Sequence, residues 1–155
     1  MELAVYDTRR ETGRAAATRA AEALNESISQ RGEANLVLAT GTSQFEMLEA
    51  LVEKDVPWER VTAFHLDEYV GLPDTHPASF VGYLRERFEQ KLPDPLRAFH
   101  YIDGTAEDPR AECGRLGLII NQHPLDVGCI GIGENGHLAF NDPPADFQTE
   151  EPFII

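Results

Sequence analysis

The sequence predicts an α/β fold, a doubly wound and mostly parallel Rossmann-like sheet with helices on both faces. Short apolar runs of strand length alternate with helical patterns of about 11 to 20 residues, an order that implies right-handed βαβ units. Glycine, hydroxyl and acidic residues directly follow several of these runs. Because the carboxyl ends of parallel strands share one edge of a sheet, where open α/β folds bind ligands, the fold also predicts where the site lies.

The composition is that of a globular protein. The chain has 155 residues, 42% apolar and 26% charged, which is enough for a single domain, residues 1–155, burying on the order of 70% of its unfolded surface. No apolar run approaches the roughly 20 residues needed to cross a bilayer, and no basic segment introduces a signal peptide. We therefore expect a cytoplasmic protein without a membrane partner.

The charge of the chain argues against a polyanionic partner. Its formal net charge is −14 and its only lysines are Lys54 and Lys91, whereas binding to nucleic acid depends on many Lys and Arg side chains that neutralise phosphates. A small phosphate can still bind to backbone N–H groups at the start of a helix. Cys113 and Cys129 match no metal-binding spacing, and we expect them to be reduced and interior.

The first elements are a short strand and a long helix. Leu3-Ala4-Val5-Tyr6 is interpreted as a first or edge strand, and Asp7 or Thr8 as the N-cap of a helix that runs to about Gln30 and ends at Gly32. Alanines fill the middle of this helix, which favours helix formation and allows close approach to a sheet.

The next strand leads into a candidate phosphate-binding turn. Residues 36–39 form a continuous apolar run, Thr40-Gly41-Thr42-Ser43 follows, and a helical pattern begins at Phe45. A strand–turn–helix junction directs N–H groups at one point and favours negative charge there, and the hydroxyls of Thr42 and Ser43 add donors. The alternative is that Ser43 only caps its own helix.

Two acidic residues end the following strand. Val61 to Leu66 has the pattern of a strand, and Asp67 and Glu68 come directly after it. Because successive side chains of an extended segment point in opposite directions, we expect one carboxylate to face the crevice and the other to anchor the loop. The alternative is a solvated acidic turn.

The middle of the chain supplies framework elements. Ser79 is predicted to cap a helix to about Gln90, residues 99–102 to form a short strand, and Asp108-Pro109 to begin a helix that runs to about Asn121. Several histidines share no common spacing and are interpreted as structural or exposed: His65, His76, His100 and His123.

A glycine-rich turn carries the strongest candidate for chemistry. Val127 to Ile130 is interpreted as a buried parallel strand, and the turn Gly131 to Pro143 follows it. Within this turn His137 lies near Asn135 and Asp142, and an imidazole so placed can move protons. The alternative is a structural histidine beside an ordinary turn. The strand ends near Gly41, Asp67 and Gly133 are predicted to converge on one pocket.

Three stretches resemble the glucosamine-6-phosphate deaminase/isomerase family, which shares its fold with the 6-phosphogluconolactonases. Their order and spacing also fit, and the resemblance covers about residues 30–147. The segments after Asp67 and after Asn135 favour the deaminase branch. The matching stretches are 38–43, 64–72 with 76–80, and 131–143.

The resemblance implies an enzyme of carbohydrate metabolism that converts glucosamine 6-phosphate and water to fructose 6-phosphate and ammonia. Asp67 takes the place of the base that moves a proton between C2 and C1, and His137 that of the residue assisting ring opening. Asn135 and Asp142 take the place of the groups that orient His137. No metal or cofactor is required. The implied substrate-binding residues are Gly41, Thr42, Ser43, Glu68 and Gly136.

The chain also departs from the family pattern. Asn135 stands where the family often has an acid, Asp142 is shorter than the usual glutamate, and Gln44 replaces a common proline. Family members continue for about a hundred residues, with further strands, a lid and basic residues that clamp the phosphate, so we expect the C-terminal part to be missing after Ile155. The alternative functions left open are a lactone hydrolase and a non-catalytic sugar-phosphate sensor. The oligomeric state is also left open, with a homo-oligomer as one option.

Overall fold

The computed structural model describes residues 2–142 and 144–155. The strands β1 to β4 form a parallel sheet in the order β3-β2-β1-β4. The strands are β1 Ala34–Leu38, β2 Val61–His65, β3 Ala98–His100 and β4 Val127–Cys129. The α-helices are α1 Arg9–Arg31, α2 Phe45–Leu51, α3 Phe80–Arg87 and α4 Pro109–Ile120. The parallel α/β fold is therefore confirmed.

Helix α1 begins and ends as its sequence predicts. The Thr8 side chain accepts a hydrogen bond from the Glu11 N–H while the Glu11 carboxylate accepts one from the Thr8 N–H, a capping box that satisfies two unpaired donors. Gly32 ends the helix at φ 82°. A Cβ on Gly13 would lie 2.7 Å from the backbone carbon of Glu46, so this glycine permits the close approach of α1 to the segment of α2.

Helices cover both faces of the sheet. β1 and β2 are buried along their whole length. On one face, Leu36 and Leu38 pack into a core with residues of α1, α2 and α3. On the other face the Phe64 ring lies 5.8 Å from the ring of His123, which closely follows α4. This alternation along the strands, with a helix layer on each side, is the doubly wound arrangement.

The predicted strand at Leu3 to Tyr6 is wrong. These residues form no strand, and Leu3 and Val5 are 81% and 82% exposed. A short apolar run becomes a strand only when a neighbouring strand pairs with it, and no strand within the described residues pairs with this one.

The predicted burial of the last strand is also wrong. β4 has only three residues, and Gly128 is exposed. It lies at the edge of the sheet, paired with β1 alone within residues 2–142 and 144–155. Cys113 and Cys129 are free, as predicted, but both are partly buried rather than interior.

His65 has a structural position, as expected. It is fully buried at the end of β2, and neither ring nitrogen has a hydrogen-bond partner in the described structure. Burial lowers the pKa of this imidazole to about 4, so the ring is neutral at pH 7.

In the described part of the chain no helix is both long and apolar enough to cross a membrane.

Candidate active site

The carboxyl ends of β1, β2 and β4 open onto one cavity of about 220 Å³. The predicted convergence of these strand ends is confirmed, because each contributes residues to the cavity wall. The lining residues are Ala39, Thr40, Gly41, Ser43, Leu66, Asp67, Phe80, Gly131, Ile132, Gly133, His137, Ala139 and Phe140.

The predicted site residues divide into two groups. Four of them line the cavity: Gly41, Ser43, Asp67 and His137. The other five are not part of its wall: Thr42, Glu68, Asn135, Gly136 and Asp142. A contact between a ligand and any residue of the second group stays a prediction.

The turn after β1 is held by side chains from two helices. Gly41 has φ 102°, a value that favours glycine. The Gly41 carbonyl accepts a hydrogen bond from the Tyr83 hydroxyl of α3 at 2.8 Å. The Thr42 carbonyl accepts one from the Arg9 guanidinium of α1 at 2.7 Å. Local sequence patterns cannot predict these two contacts, since each joins residues more than 30 positions apart.

Ser43 does not cap the following helix. Residues Thr42–Gln44 form a short 3₁₀ turn before α2, and the N-cap of α2 is Gln44, without a side-chain capping bond. The Ser43 hydroxyl instead lies at the cavity wall, where it accepts a 3.4 Å hydrogen bond from the Gln44 side chain. The alternative reading of Ser43 as a cap is therefore wrong.

Asp67 faces the cavity in a setting that changes its acidity. Burial, and to a smaller extent the negative charge of Glu68, raises the pKa of its carboxyl to about 6. At neutral pH the group is ionised yet more basic than an ordinary aspartate. Such a carboxylate is suited to accept a proton from a carbon acid and to return it.

Glu68 anchors α3. Its carboxylate accepts hydrogen bonds from the Ser79 hydroxyl at 2.9 Å and from the N–H groups of Phe80 and Val81 at 2.9 and 3.0 Å. The predicted division of labour, with one acid facing the crevice and one anchoring the loop, is confirmed. The contact between Glu68 and a substrate stays a prediction, and hydrogen bonds of its carboxylate join it to the start of α3.

Asn135 and Asp142 hold the His137 ring from one side. Nδ1 of His137 contacts Oδ1 of Asn135 and lies 3.2 Å from Oδ1 of Asp142. The Asn135 amide donates a 2.6 Å hydrogen bond to that same Asp142 oxygen. Because Asn135 Oδ1 only accepts, Nδ1 carries the proton in the neutral ring and Nε2 is left to accept one. Asp142 reaches the ring despite its short side chain.

The backbone of this turn is shaped around the His137 ring. Ile132 and Leu138 form an isolated antiparallel bridge, and the Gly133 N–H donates to the His137 carbonyl at 2.9 Å. A Cβ on Gly133 would lie 2.5 Å from Nδ1 of His137, well inside contact distance. Gly133 is therefore required by the position of the ring.

Sequence reasoning missed the aromatic part of the cavity wall. The sequence patterns predict no role in the site for Phe80 or Phe140. Both rings line the cavity. The sequence holds two signals of this wall: Phe80 directly follows the helix cap Ser79, and Phe140 lies three positions after His137.

Two titratable side chains, one acidic and one imidazole, line the cavity. Asp67 and His137 are its titratable residues, and no lysine or arginine lines it within the residues that the structure describes. No group of three His, Cys, Asp or Glu residues in that same part of the chain is arranged to hold a metal ion. The wall can therefore move protons on a bound small molecule through a carboxylate and an imidazole.

A parallel α/β sheet with a carboxylate and an imidazole on one strand-end cavity is the arrangement expected of small-molecule enzymes that work by proton transfer. The family model described as "Glucosamine-6-phosphate isomerases/6-phosphogluconolactonase" matches residues 7–152. The chain belongs to this family.

Individual relatives agree with this placement. The glucosamine-6-phosphate deaminase of Streptococcus sanguinis is 37% identical over 136 residues, which are 87% of this chain and 56% of that protein. A monomeric glucosamine-6-phosphate deaminase matches in structure with a TM-score of 0.86 and 29% identity, covering 96% of this chain and 62% of that one. The chain thus spans about three fifths of the length of these relatives.

A lactonase shares the fold. The 6-phosphogluconolactonase of Shewanella baltica matches with a TM-score of 0.79 and 23% identity, covering 89% of this chain and 59% of that one. At this identity the match supports the architecture alone.

Proposed function

We propose that the protein catalyses the deaminating isomerisation of glucosamine 6-phosphate, in which the sugar phosphate and water give fructose 6-phosphate and ammonia. The observation that carries the proposal is the presence of Asp67 and His137 on one cavity, in a chain 37% identical to a glucosamine-6-phosphate deaminase. Both groups have the chemistry that the reaction requires.

His137 assists the opening of the sugar ring. The C1–O5 bond breaks, the C1 hydroxyl loses its proton, and the ring oxygen gains one, which produces the open-chain aldehyde. Nε2 of His137 is the ring nitrogen that can accept and then return this proton, because Nδ1 is turned toward Asn135. Asn135 and Asp142 act as positioning residues for the imidazole.

Asp67 moves the proton between carbons. Its carboxylate takes the proton from C2 while O1 takes a proton from solvent, giving a C1–C2 enolamine, and then returns the first proton to C1. C2 becomes an iminium carbon, to which water adds. Ammonia leaves with formation of the ketone, and one proton returns to solvent. The raised pKa of Asp67, about 6, supports this role because it increases the basicity of the ionised carboxylate.

The turn at Gly41 to Ser43 holds the phosphate in this proposal. Gly41 and Ser43 line the cavity, and the Ser43 hydroxyl can donate to a phosphate oxygen. The Gly41 and Thr42 carbonyls are bound by Tyr83 and Arg9. The N–H and the carbonyl of one peptide group point in opposite directions. Because the Gly41 and Thr42 carbonyls are directed at α3 and α1, this geometry favours N–H groups of Thr42 and Ser43 that point away from these two helices.

The proposal is tested with two substrates. The full-length protein is incubated with glucosamine 6-phosphate and ammonia is measured, while 6-phosphogluconolactone is supplied in parallel. Ammonia release supports the deaminase reaction. Lactone hydrolysis without ammonia release would assign the lactonase reaction to this site instead. Saturable binding of glucosamine 6-phosphate with neither turnover supports a sugar-phosphate sensor. The absence of ammonia from folded protein contradicts the proposal.

A further inference from the structure

Three aromatic rings meet at the edge of the cavity, and we call them the aromatic cluster: Tyr69, Phe80 and Phe140. Their ring centroids are 5.0 Å apart for Tyr69 and Phe80, 5.3 Å for Tyr69 and Phe140, and 5.9 Å for Phe80 and Phe140. These separations are typical of interacting aromatic pairs. Each ring comes from a different segment of the chain, so the cluster joins parts that are distant in sequence.

On one side the cluster is fixed to the segment of Asp67. Tyr69 follows Asp67 by two positions, and the Glu68 carboxylate between them accepts hydrogen bonds from the Phe80 and Val81 N–H groups. The backbone of Phe80 is thereby tied to the neighbour of Asp67. Tyr69, Phe80 and the Asp67 segment consequently form one connected unit.

On the other side the cluster reaches the turn that carries His137. The hydrogen bonds found for residues 131–142 in the described structure join them to one another or to Ala145. Phe140 follows His137 by three positions, and its ring packs against Tyr69 and Phe80. Ala139, beside it, has φ 53°, a left-handed value that is unfavourable for alanine and has to be held by its surroundings.

We propose that the aromatic cluster holds the turn 131–142 against the Asp67 segment and so sets the separation of the Asp67 carboxylate and the His137 imidazole. Tyr69 is a positioning residue in this scheme, because it does not line the cavity. The effect on turnover rests on the proposed function, in which both groups act on one sugar. Proton transfer requires positions accurate to a fraction of an ångström, so a loosened cluster reduces turnover more than binding.

The first test uses Tyr69→Leu in the full-length protein. This variant removes an aromatic ring without removing a wall of the cavity, and we expect kcat for ammonia release to fall about tenfold while KM changes less than about twofold. Tyr69→Phe keeps the ring and restores kcat. Tyr6→Leu is the matched control, since Tyr6 and Tyr69 are both 44% exposed. A kcat for Tyr69→Leu equal to that of wild type contradicts the proposal.

The second test does not depend on the deaminase reaction. Hydrogen exchange of the amides of residues 131–142 is compared among the wild type, Tyr69→Leu, Phe140→Leu, Tyr69→Phe and Tyr6→Leu. We expect several-fold faster exchange in the two variants that lose a cluster ring and wild-type exchange in the other two. Unchanged exchange in Tyr69→Leu and Phe140→Leu overturns the proposal. If the wild type releases no ammonia, the proposed function fails and this measurement alone decides on the cluster.

Discussion

Neighbouring carboxylates in this protein have different surroundings and different roles. Asp67 faces the cavity and has a raised pKa, whereas Glu68 accepts hydrogen bonds from the start of α3. Strand alternation predicts that two successive side chains point apart, so this division could be read from the sequence. Which acid takes which role depends on where α3 lies, and that follows from contacts between distant residues.

The first prediction concerns the pH dependence of stability at Asp67. Its folded-state pKa of about 6 lies above its ordinary value of 3.8, so the folded state binds more protons between these values. The ionised carboxyl therefore destabilises the fold above pH 6, and this penalty disappears as the pH falls below about 4. Asp67→Asn should raise the free energy of unfolding at pH 7.5 by about 1 to 2 kcal/mol, allowing for partial exposure.

Urea unfolding at pH 7.5 and pH 5.0 checks this prediction. At pH 5.0 the increase in the free energy of unfolding caused by Asp67→Asn should be about half as large, because protonation of Asp67 in the wild type already removes part of the cost of its buried charge. Asp94→Asn is the control, since Asp94 is exposed and is not part of the cavity wall. No increase in the free energy of unfolding at pH 7.5, or an equal increase at both pH values, would contradict the raised pKa of Asp67.

The second prediction concerns Gly133. A methyl group there would overlap the His137 ring, so Gly133→Ala should displace the imidazole and lower kcat for ammonia release by about 100-fold. Gly114→Ala is the control, because a Cβ at Gly114 in α4 meets nothing within 4 Å. That control should keep full activity and gain about 0.5 to 1 kcal/mol of stability. Equal activities of the two variants would show that the ring does not need Gly133.

At the scale of elements, caps and strands differ in how well they can be predicted. The start of α1, predicted at Asp7 or Thr8 and found at Thr8, and that of α4 at Asp108 are predictable because a cap depends on residues within one turn. The strand at Leu3 to Tyr6 and the burial of β4 were predicted wrongly, because pairing and burial depend on neighbours that local sequence does not describe. The aromatic cluster was missed for the same reason.

The third prediction concerns the anchoring of α3. Glu68→Ala leaves the Phe80 and Val81 N–H groups without their acceptor, which should lower the free energy of unfolding by about 1 to 3 kcal/mol. Glu86→Ala, at an exposed position of the same helix, is the control and should change stability by less than about 0.5 kcal/mol. Thermal and urea unfolding of both variants provide the comparison. Equal stabilities would mean that Glu68 does not anchor α3.

At the scale of the whole molecule, the parallel sheet explains the site. Strand ends separated by about a hundred residues meet because parallel strands deliver their carboxyl ends to one edge. This convergence could be predicted from the alternation of strands and helices. The exact contacts of His137 with Asn135 and Asp142, by contrast, required the path of the turn itself.

The central claim is that Asp67 and His137 act on one bound sugar, and the most direct measurement is the rate of ammonia release by Asp67→Asn. Asp94→Asn serves as the matched control, and folding is verified for both. Loss of a general base should reduce kcat by about 100- to 10,000-fold in Asp67→Asn and leave Asp94→Asn at the wild-type rate. Ammonia release by folded Asp67→Asn at the wild-type rate would contradict the account.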